Sequence, residues 1–215
     1  WYDSEVAPAG LYAMQLAGGD VISLTRNECR CYGEPHLWGR QVVYETWREG
    51  PRDIHIVDVD TLEDRAITHS LVQQFDPAFD GQWVVWTDSR NDPSEGDPYN
   101  HLVNPDIFGL ELPDGTEQAI CDHPAVQLGP RVHDGLVSWT DYRNSEHPND
   151  GTVAGNTDIF LLDLRTGIDY QVTSSPAAEY ASRLSGRKLY YLADDATGAV
   201  AVFEVDLVER LGIEP

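Results

Sequence analysis

The fold of this chain is decided by two similar stretches of its sequence, Pro77-Ala-Phe-Asp-Gly-Gln-Trp-Val-Val-Trp86 and Pro130-Arg-Val-His-Asp-Gly-Leu-Val-Ser-Trp139. In both, nine positions separate the proline from the final aromatic residue. Two further stretches keep that spacing, from Pro35 to Tyr44 and from Ser182 to Tyr191. A fifth aromatic, Tyr2, stands 42 residues before Tyr44, the same step as from Tyr44 to Trp86. Self-similarity at such a period indicates a repeat architecture.

The second half of each unit repeats in phase with the first. Triplets of similar pattern begin at Gly10, Asp53, Asp106, Asp158 and Ala201. A step of 15 residues from the first four leads to Thr25, Thr68, Cys121 and Thr173. Because Cys121 stands where the other units have threonine, we expect a structural role for it.

Each unit has the pattern of four short strands. Residues 82–87, 158–162 and 170–173 alternate and are rich in β-branched and aromatic side chains. Turn signals such as Pro113-Asp-Gly115 and Arg165-Thr-Gly167 separate the strands. No segment shows a sustained helical period with caps, so helix should be scarce. The fold class is therefore all-β, and repeats of about 40–50 residues with four antiparallel strands each are typical of β-propeller blades.

Two motifs give the repeat a specific resemblance. Trp86-Thr-Asp-Ser-Arg-Asn91 and Trp139-Thr-Asp-Tyr-Arg-Asn144, each followed by Asp-Ile-Phe, are similar to the TolB-like propeller repeat. The strand and tight turn of Asp158-Ile-Phe-Leu-Leu-Asp-Leu-Arg-Thr-Gly167 resemble it too. The likeness covers nearly the whole chain and implies a propeller of a family with periplasmic and secreted protein-binding members. It implies no activity, because the same fold recurs in some polysaccharide lyases and peptidase accessory domains.

We predict a single propeller domain over residues 1–215 with five blades. The repeat units are approximately residues 1–34, 35–76, 77–129, 130–181 and 182–215. The first unit lacks its innermost strand, and residues 208–215 would supply a final outer strand or return to complete the first blade. A truncated piece of a six- or seven-bladed ring is the alternative.

Charge limits the partners. Lys+Arg number 14 and Asp+Glu 37, which gives a net charge of −23. This field repels phosphate backbones and anionic lipid headgroups, which argues against nucleic acid and membrane surfaces. No apolar run approaches the ~20 residues of a membrane span. The chain opens at Trp1 without a leader, so we expect a processed or trimmed product. The resemblance implies an extracellular or periplasmic location, and we expect a monomer or part of a larger surface protein.

The three cysteines, Cys29, Cys31 and Cys121, leave an odd thiol whatever pairs. Cys29 and Cys31 flank a single arginine, a spacing that fits plain structural cysteines, a local disulfide or a soft-metal pair. Two thiols alone make a poor zinc site, because structural zinc takes four ligands.

Two adjacent units have enlarged loops between their second and third strands. From Tyr44 to Asp53 is nine positions, but Trp86 to Asp106 is 20 and Trp139 to Asp158 is 19. Long loops on a rigid scaffold often carry function. Their oxygen-rich composition suits calcium, and the candidate ligands are Asp92, Glu95, Asp97 and Asp150. Neither loop has the Asp-x-Asp-x-Asp-Gly spacing, so a solvated acidic loop is the alternative.

Carboxylates and arginines also recur at matched positions, which favours an architectural role. The recurring residues are Asp88, Arg90, Asp106, Asp141, Arg143 and Asp158. An arginine fork is expected to bond the carboxylate and loop carbonyls between blades. A ligand-binding role is the alternative.

A second constellation flanks the first position of each repeated stretch, at the predicted mouth of the propeller channel. It comprises Glu34, His36, Asp76, Arg131 and Arg183. These side chains suit binding of a ligand, or cleavage of a sugar by Glu34 and Asp76 with His36 beside them. Glycosidases need two carboxylates about 5–9 Å apart. A charged, water-filled channel lip is the alternative.

Trp47 and Tyr99 lie near this predicted face and are candidates for sugar contact, or else fill wedges between blades.

No Gly-x-Ser-x-Gly, His-Glu-x-x-His or phosphate-binding glycine loop occurs. We therefore favour a non-enzymatic binding or scaffold module that presents its acidic loop face to a protein or carbohydrate ligand. The alternatives are a polysaccharide hydrolase or lyase that uses the channel-mouth carboxylates, and a purely structural domain. Calcium is the one cofactor suggested.

Overall fold

The computed structural model describes residues 2–3, 10–25, 30–48, 50–92, 103–151, 155–194, 197 and 199–213. Strands dominate these residues, and they form five antiparallel sheets in chain order. The second, third and fourth sheets have four strands, and the first and fifth have three among the described residues. The expected all-β class is confirmed.

The strands of each sheet follow one another along the chain. The first sheet holds β1 (Tyr2–Asp3), β2 (Gly10–Ala13) and β3 (Ile22–Ser23). The second holds β4 (Cys31–Trp38), β5 (Gln41–Thr46), β6 (Asp53–Asp58) and β7 (Asp64–Ala66). The third holds β8 (Gln74–Phe79), β9 (Trp83–Asp88), β10 (Asp106–Glu111) and β11 (Gln118–Cys121).

The fourth sheet holds β12 (Gln127–His133), β13 (Leu136–Asp141), β14 (Asp158–Asp163) and β15 (Ile168–Gln171). The fifth holds β16 (Glu179–Ser185), β17 (Lys188–Asp194) and β18 (Val200–Asp206). A short helix, α1 (Leu207–Leu211), follows directly. Each sheet is a meander of neighbouring strands, so its hydrogen-bonded pairs are all close in sequence.

The repeated aromatic residue anchors each sheet against the one before it. Tyr44, Trp86 and Trp139 are almost fully buried. Trp86 packs in one apolar cluster with Val43 and Ile54 of the second sheet. Equivalent clusters join the first sheet to the second, the third to the fourth and the fourth to the fifth. The core therefore lies between successive sheets, as in a propeller.

The threonine slot at the end of each unit has a definite function in the sheet. Thr25, Thr68 and Thr173 accept hydrogen bonds through Oγ1 from backbone N–H groups of β2, β6 and β14, at 3.2, 2.9 and 2.8 Å. Their donors are Leu11, Ile54 and Ile159. Cys121 occupies this slot in the third sheet as a free thiol, whereas Cys31 is disulfide-bonded. Cys29 lies outside the described residues.

The end of the chain differs from the prediction. Instead of a final outer strand, residues 207–211 are helical, because Asp206 caps the first turn and Gly212 (φ 69°) ends the last. Leu207 and Ile213 are buried among residues of the fourth and fifth sheets. The described part of this segment, up to Ile213, therefore does not complete the first sheet. The predicted unit boundaries fall inside β4, β8, β12 and β16 rather than between sheets.

Leu37 lies two residues beyond the first position of its repeated stretch, as Phe79, Val132 and Leu184 do in theirs. Those three pack in the apolar clusters between sheets, but 64% of the surface of Leu37 is exposed. The preceding sheet shows no innermost strand among the described residues, so nothing there covers Leu37. No described helix is long and apolar enough to span a bilayer.

Candidate functional site

The candidate site is built on a β-bulge that recurs in four innermost strands. Between two successive ladder pairs, β8, β12 and β16 each hold one residue more than the strand they pair with. At the same place β4 holds two more residues than its partner strand. At each bulge one residue has a left-handed backbone: Gly33 (φ 70°), Asp76 (φ 51°), Gly129 (φ 59°) and Ala181 (φ 54°). Bulges redirect side chains locally without moving the rest of the ladder.

The bulge amides are held by the preceding sheet. The N–H of Asp76 donates to Glu45 Oε2 at 2.8 Å, and the N–H of Gly129 donates to Thr87 Oγ1 at 3.3 Å. Glu45 and Thr87 each follow the repeated aromatic residue on the second strand. The same strand position therefore supplies the acceptor in both sheets, once as a threonine and once as a carboxylate.

The bulge in β4 holds one residue more than the other three, and Gly33 within it sets the position of Glu34. Glycine is needed there for two reasons. Its φ of 70° disfavours a side chain, and a Cβ would come within 3.1 Å of the Glu45 carboxyl carbon. Because Gly33 takes the left-handed conformation, Glu34 is free to project towards the other innermost strands.

Glu34 joins three sheets. Its Oε2 accepts from Arg183 Nη2 at 2.9 Å and lies 3.5 Å from Arg131 Nη2. Arg131 belongs to the fourth sheet and Arg183 to the fifth, so the innermost strands of three sheets come together at Glu34. Only 15% of the Arg131 side chain is exposed, against 63% for Glu34. We name Glu34, His36, Asp76, Arg131 and Arg183 the axial cluster.

Burial and charge set the protonation of this cluster. Burial, assisted by Arg131, lowers the pKa of His36 to about 4, although Glu34 opposes the shift. His36 is therefore neutral at physiological pH. Burial raises the pKa of Asp76, and Arg131 and Arg52 act against that rise. Within the described part of the chain, the buried Nε of Arg131 has no hydrogen-bond acceptor.

A second branch leads from the axial cluster to Trp47. Glu45 is 1% exposed, and burial raises its pKa to about 7, opposed by the Asp76 amide and by Arg52. Arg52 Nη1 lies 3.4 Å from Glu45 Oε1. The Arg52 guanidinium also stands over the rings of Phe75 at 4.5 Å and Trp47 at 5.4 Å.

The structure thus brings five predicted residues together in the axial cluster and reaches Trp47, 38% exposed, through Arg52 and Glu45. Tyr99 lies outside the described residues. Sequence reasoning missed Glu45 and Arg52. A signal for Glu45 was present, because its slot holds threonine at Thr87 and Thr140.

The enlarged loops are described only in part. Glu95 and Asp97 lie outside the described residues. Asp92 donates its N–H to Ser89 O at 3.0 Å, and Asp150 donates its N–H to His147 O at 3.2 Å. Among the residues described, no group of three or more His, Cys, Asp or Glu side chains is arranged to hold a metal. Calcium binding stays a prediction.

The repeated Asp–Arg pairs form closed forks. Arg90 donates its backbone N–H and Nε to Asp88 Oδ1, both at 2.9 Å, and Nη2 to Oδ2 at 2.6 Å. Trp86 Nε1 donates to the same Oδ2 at 2.9 Å. The guanidinium stands 3.9 Å from the centre of the Phe108 ring. These bonds lie within one sheet and not between sheets.

The fourth sheet repeats this arrangement with Asp141, Arg143 and Phe160. Here Arg143 also lies 3.6 Å from Cys121 Sγ of the preceding sheet. The other recurring carboxylates accept from amides of the loop: Asn91 donates to Asp106 at 2.7 Å and Asn144 to Asp158 at 2.6 Å. We propose that all six recurring residues are architectural.

Comparison with solved structures identifies the fold class. A TolB-type protein from Agrobacterium tumefaciens superposes with a TM-score of 0.69 at 16% identity, over 92% of this chain and 70% of the other. TolB from Acinetobacter baumannii gives 0.58 at 14% identity, over 94% of this chain and 49% of the other. The chain therefore has the TolB-like β-propeller fold, as the sequence motifs predicted.

The same fold likeness extends to enzymes. An oligogalacturonate lyase from Vibrio parahaemolyticus gives a TM-score of 0.61 at 13% identity, over 92% of this chain and 56% of the other. The chain spans about half the length of the Acinetobacter TolB. No protein-family model matches the sequence, and no curated protein matches it. At these identities the likeness shows the fold and not the activity.

Proposed function

We propose that the chain is a non-enzymatic binding module that holds a protein partner at the axial cluster and the adjoining loop face. The observation that carries this proposal is the Glu34 bridge to Arg131 and Arg183. It collects charged side chains from separate sheets at one place on a rigid scaffold. Binding sites commonly pair a rigid framework with a few converging polar groups.

The topology supports a single binding face. The innermost strands begin at the end where the loops between second and third strands leave the sheet, because Cys31 pairs with Thr46 and Gln127 with Asp141. Trp47 and the described ends of the two enlarged loops therefore lie towards the same end as the start of the innermost strands.

The chemistry of the cluster gives less support to an enzyme. A hydrolase based on Glu34 and Asp76 needs one carboxylate free to act as a base or nucleophile, but Glu34 is paired with two guanidiniums. With a pKa of about 4, His36 is a weak base near neutrality. Glu45 has a raised pKa, but it is buried away from any substrate.

Four accompanying features belong to the same proposal: a single domain over residues 1–215, closure of the five sheets into a ring, a monomer or part of a larger surface protein, and an extracellular or periplasmic location. The disulfide at Cys31 supports that location, because disulfides persist in oxidising compartments.

Affinity capture from a cell-envelope extract, followed by cross-linking, tests the function. The double variant Arg131→Met/Arg183→Met should lose the captured protein. The matched control Arg40→Met, whose guanidinium pairs with Asp60 on an exposed turn, should retain it. Three results would contradict the proposal: the double variant still captures the protein, the chain retains only glycans, or the chain cleaves polysaccharides of a test panel.

A further inference from the structure

We infer that Glu34 is a built-in occupant of a carboxylate site, and that the partner binds by placing a carboxylate of its own between Arg131 and Arg183. This inference rests on the proposed function, since it names the chemical group that the axial cluster receives. The two guanidiniums are hydrogen-bonded to backbone carbonyls of their own strands, whereas the Glu34 carboxylate has no such bond among the described residues.

Each arginine is held by its own strand. Arg131 Nη1 donates to the carbonyl of Pro130 at 2.7 Å, and Arg183 Nη1 donates to the carbonyl of Ser182 at 3.1 Å. Both arginines occupy the same repeat position, one residue beyond the bulge segment, so the two guanidiniums are oriented alike. Donors that are fixed before binding lose little conformational entropy when an acceptor arrives.

Glu34, in contrast, is easily displaced. Among the described residues, the Glu34 carboxylate accepts hydrogen bonds only from these two arginines, and both reach the same oxygen, Oε2. The Glu34 side chain is 63% exposed. An exposed ion pair contributes little to stability, about 0–1 kcal/mol. Glu34 can therefore leave the guanidiniums without unfolding the bulge, whose own turn depends on Gly33.

The charges favour a single carboxylate over a phosphate. Replacing Glu34 by another carboxylate keeps the charge between the arginines unchanged, whereas a dianion would add negative charge beside Asp76, which interacts electrostatically with Arg131 and Arg183. Arg131 still has a buried Nε donor without an acceptor, which gives an incoming carboxylate a bond that Glu34 does not make.

The width of the site favours a peptide. One glutamate side chain bridges from the second sheet to guanidiniums of the fourth and fifth, so the axial space at this level admits a slender group. An acidic side chain or a C-terminal carboxylate on an extended chain fits that description. A sugar acid would have to bring a ring to the same level.

Titration calorimetry with four short peptides tests the inference on the full chain. The probes are acetyl-Gly-Gly-Gly-Asp with a free C-terminus, its C-terminal amide, and the two corresponding Asn peptides. Digalacturonate is the sugar-acid arm. The Asp amide isolates the side chain as the source of the carboxylate, and the free-acid Asn peptide isolates the C-terminus.

The variant Glu34→Gln should bind the carboxylate peptides about tenfold more tightly than the unaltered chain, because the competing carboxylate is gone. The control Glu204→Gln removes the same charge from an exposed pair with Lys188 and should change nothing. Arg183→Met in the Glu34→Gln background should abolish the gain. The Asn amide, which has no carboxylate, should not bind.

Four results would overturn the inference. The first two are equal affinity of Glu34→Gln and the unaltered chain for the carboxylate peptides, and binding of the neutral peptide. The others are absence of binding in every variant, and a gain in affinity for digalacturonate alone. A different result is a partner that is captured through Arg131 and Arg183 with a yield that neither Glu34→Gln nor the carboxylate peptides change. That result would refute the role of Glu34 alone and would agree with the proposed binding module.

Discussion

Glu45 departs most from its repeat position among the residues of the site. The same position in the next sheet is Thr87, whose hydroxyl accepts the bulge amide without any charge. Glu45 accepts the corresponding amide of Asp76 with one oxygen and pairs with Arg52 through the other. Burial of a carboxylate is costly unless such partners compensate it. The pKa of about 7 shows that here they do so incompletely.

This gives a pH dependence of known sign. The pKa of Glu45 is raised from 4.5 to about 7, so the folded chain binds this proton more tightly than the unfolded chain does. Its contribution to the free energy of unfolding is fully present below about pH 4.5 and is lost as the pH rises through 7. Relative to Glu45→Gln, the unaltered chain should lose about 3 kcal/mol between pH 4.5 and 8, measured by urea denaturation.

The exposed control Glu63→Gln should instead give a curve parallel to that of the unaltered chain. Parallel curves for Glu45→Gln as well would show that Glu45 keeps an ordinary pKa in the folded protein. Arg52 and Asp76 are the charged neighbours of Glu45, and both are retained in the comparison.

The bulge is the decisive element of the innermost strands. Four strands share it, and in three of them the left-handed residue occupies one slot: Asp76, Gly129 and Ala181. Only one of these three is glycine, so the other two carry backbone strain of about 1–2 kcal/mol. The ladder on either side continues in register, which confines that strain to the bulge.

Two substitutions at this slot should change stability in opposite directions. Gly129→Ala should lower the free energy of unfolding by about 1 kcal/mol, because φ is 59° and no atom lies within 4 Å of the new Cβ. Ala181→Gly should raise it by up to about 1 kcal/mol, since relief of strain outweighs the greater entropy of the unfolded chain. Chemical denaturation measures both, and shifts of the same sign would refute strain at this slot.

The strands could be predicted from the repeat, but the bulges could not. An alternating pattern shows which residues belong to a strand, and one extra residue that is absorbed locally leaves that pattern intact on both sides. The helix at 207–211 had readable signals in Asp206 and Gly212. They were missed because four preceding units ended in strands, so the repeat outweighed the local capping pattern.

At the level of the whole molecule, spacing predicted the fold, and the TolB-like structures confirm it. Spacing also placed Glu34, His36, Asp76, Arg131 and Arg183 together, because equivalent positions of a repeat face the same axis. Glu45 and Arg52 escaped because their partners depend on how neighbouring sheets are offset. Packing between sheets sets that offset, and no spacing along the chain records it.

The net charge of −23 should make stability depend on salt. Excess like charge destabilises a compact state through repulsion, and salt shortens the Debye length from about 30 Å at 0.01 M to about 3 Å at 1 M. The melting temperature should therefore rise with sodium chloride over this range. Chloride is preferable to sulfate, which stabilises proteins by exclusion from their surface. A falling melting temperature would show that attractive ion pairs dominate.

The one residue by which the β4 bulge exceeds the other three also has an evolutionary consequence. A fold built from repeated units begins with equivalent positions in every unit, and such symmetry is poorly suited to recognising an asymmetric partner. Insertion of one residue at a bulge breaks the equivalence in one unit. The fold tolerates this insertion because the ladder on either side is undisturbed. The bulges are therefore places where a duplicated gene can gain specificity by a change of one codon in length, and where a designed propeller can be given a new side chain at its axis.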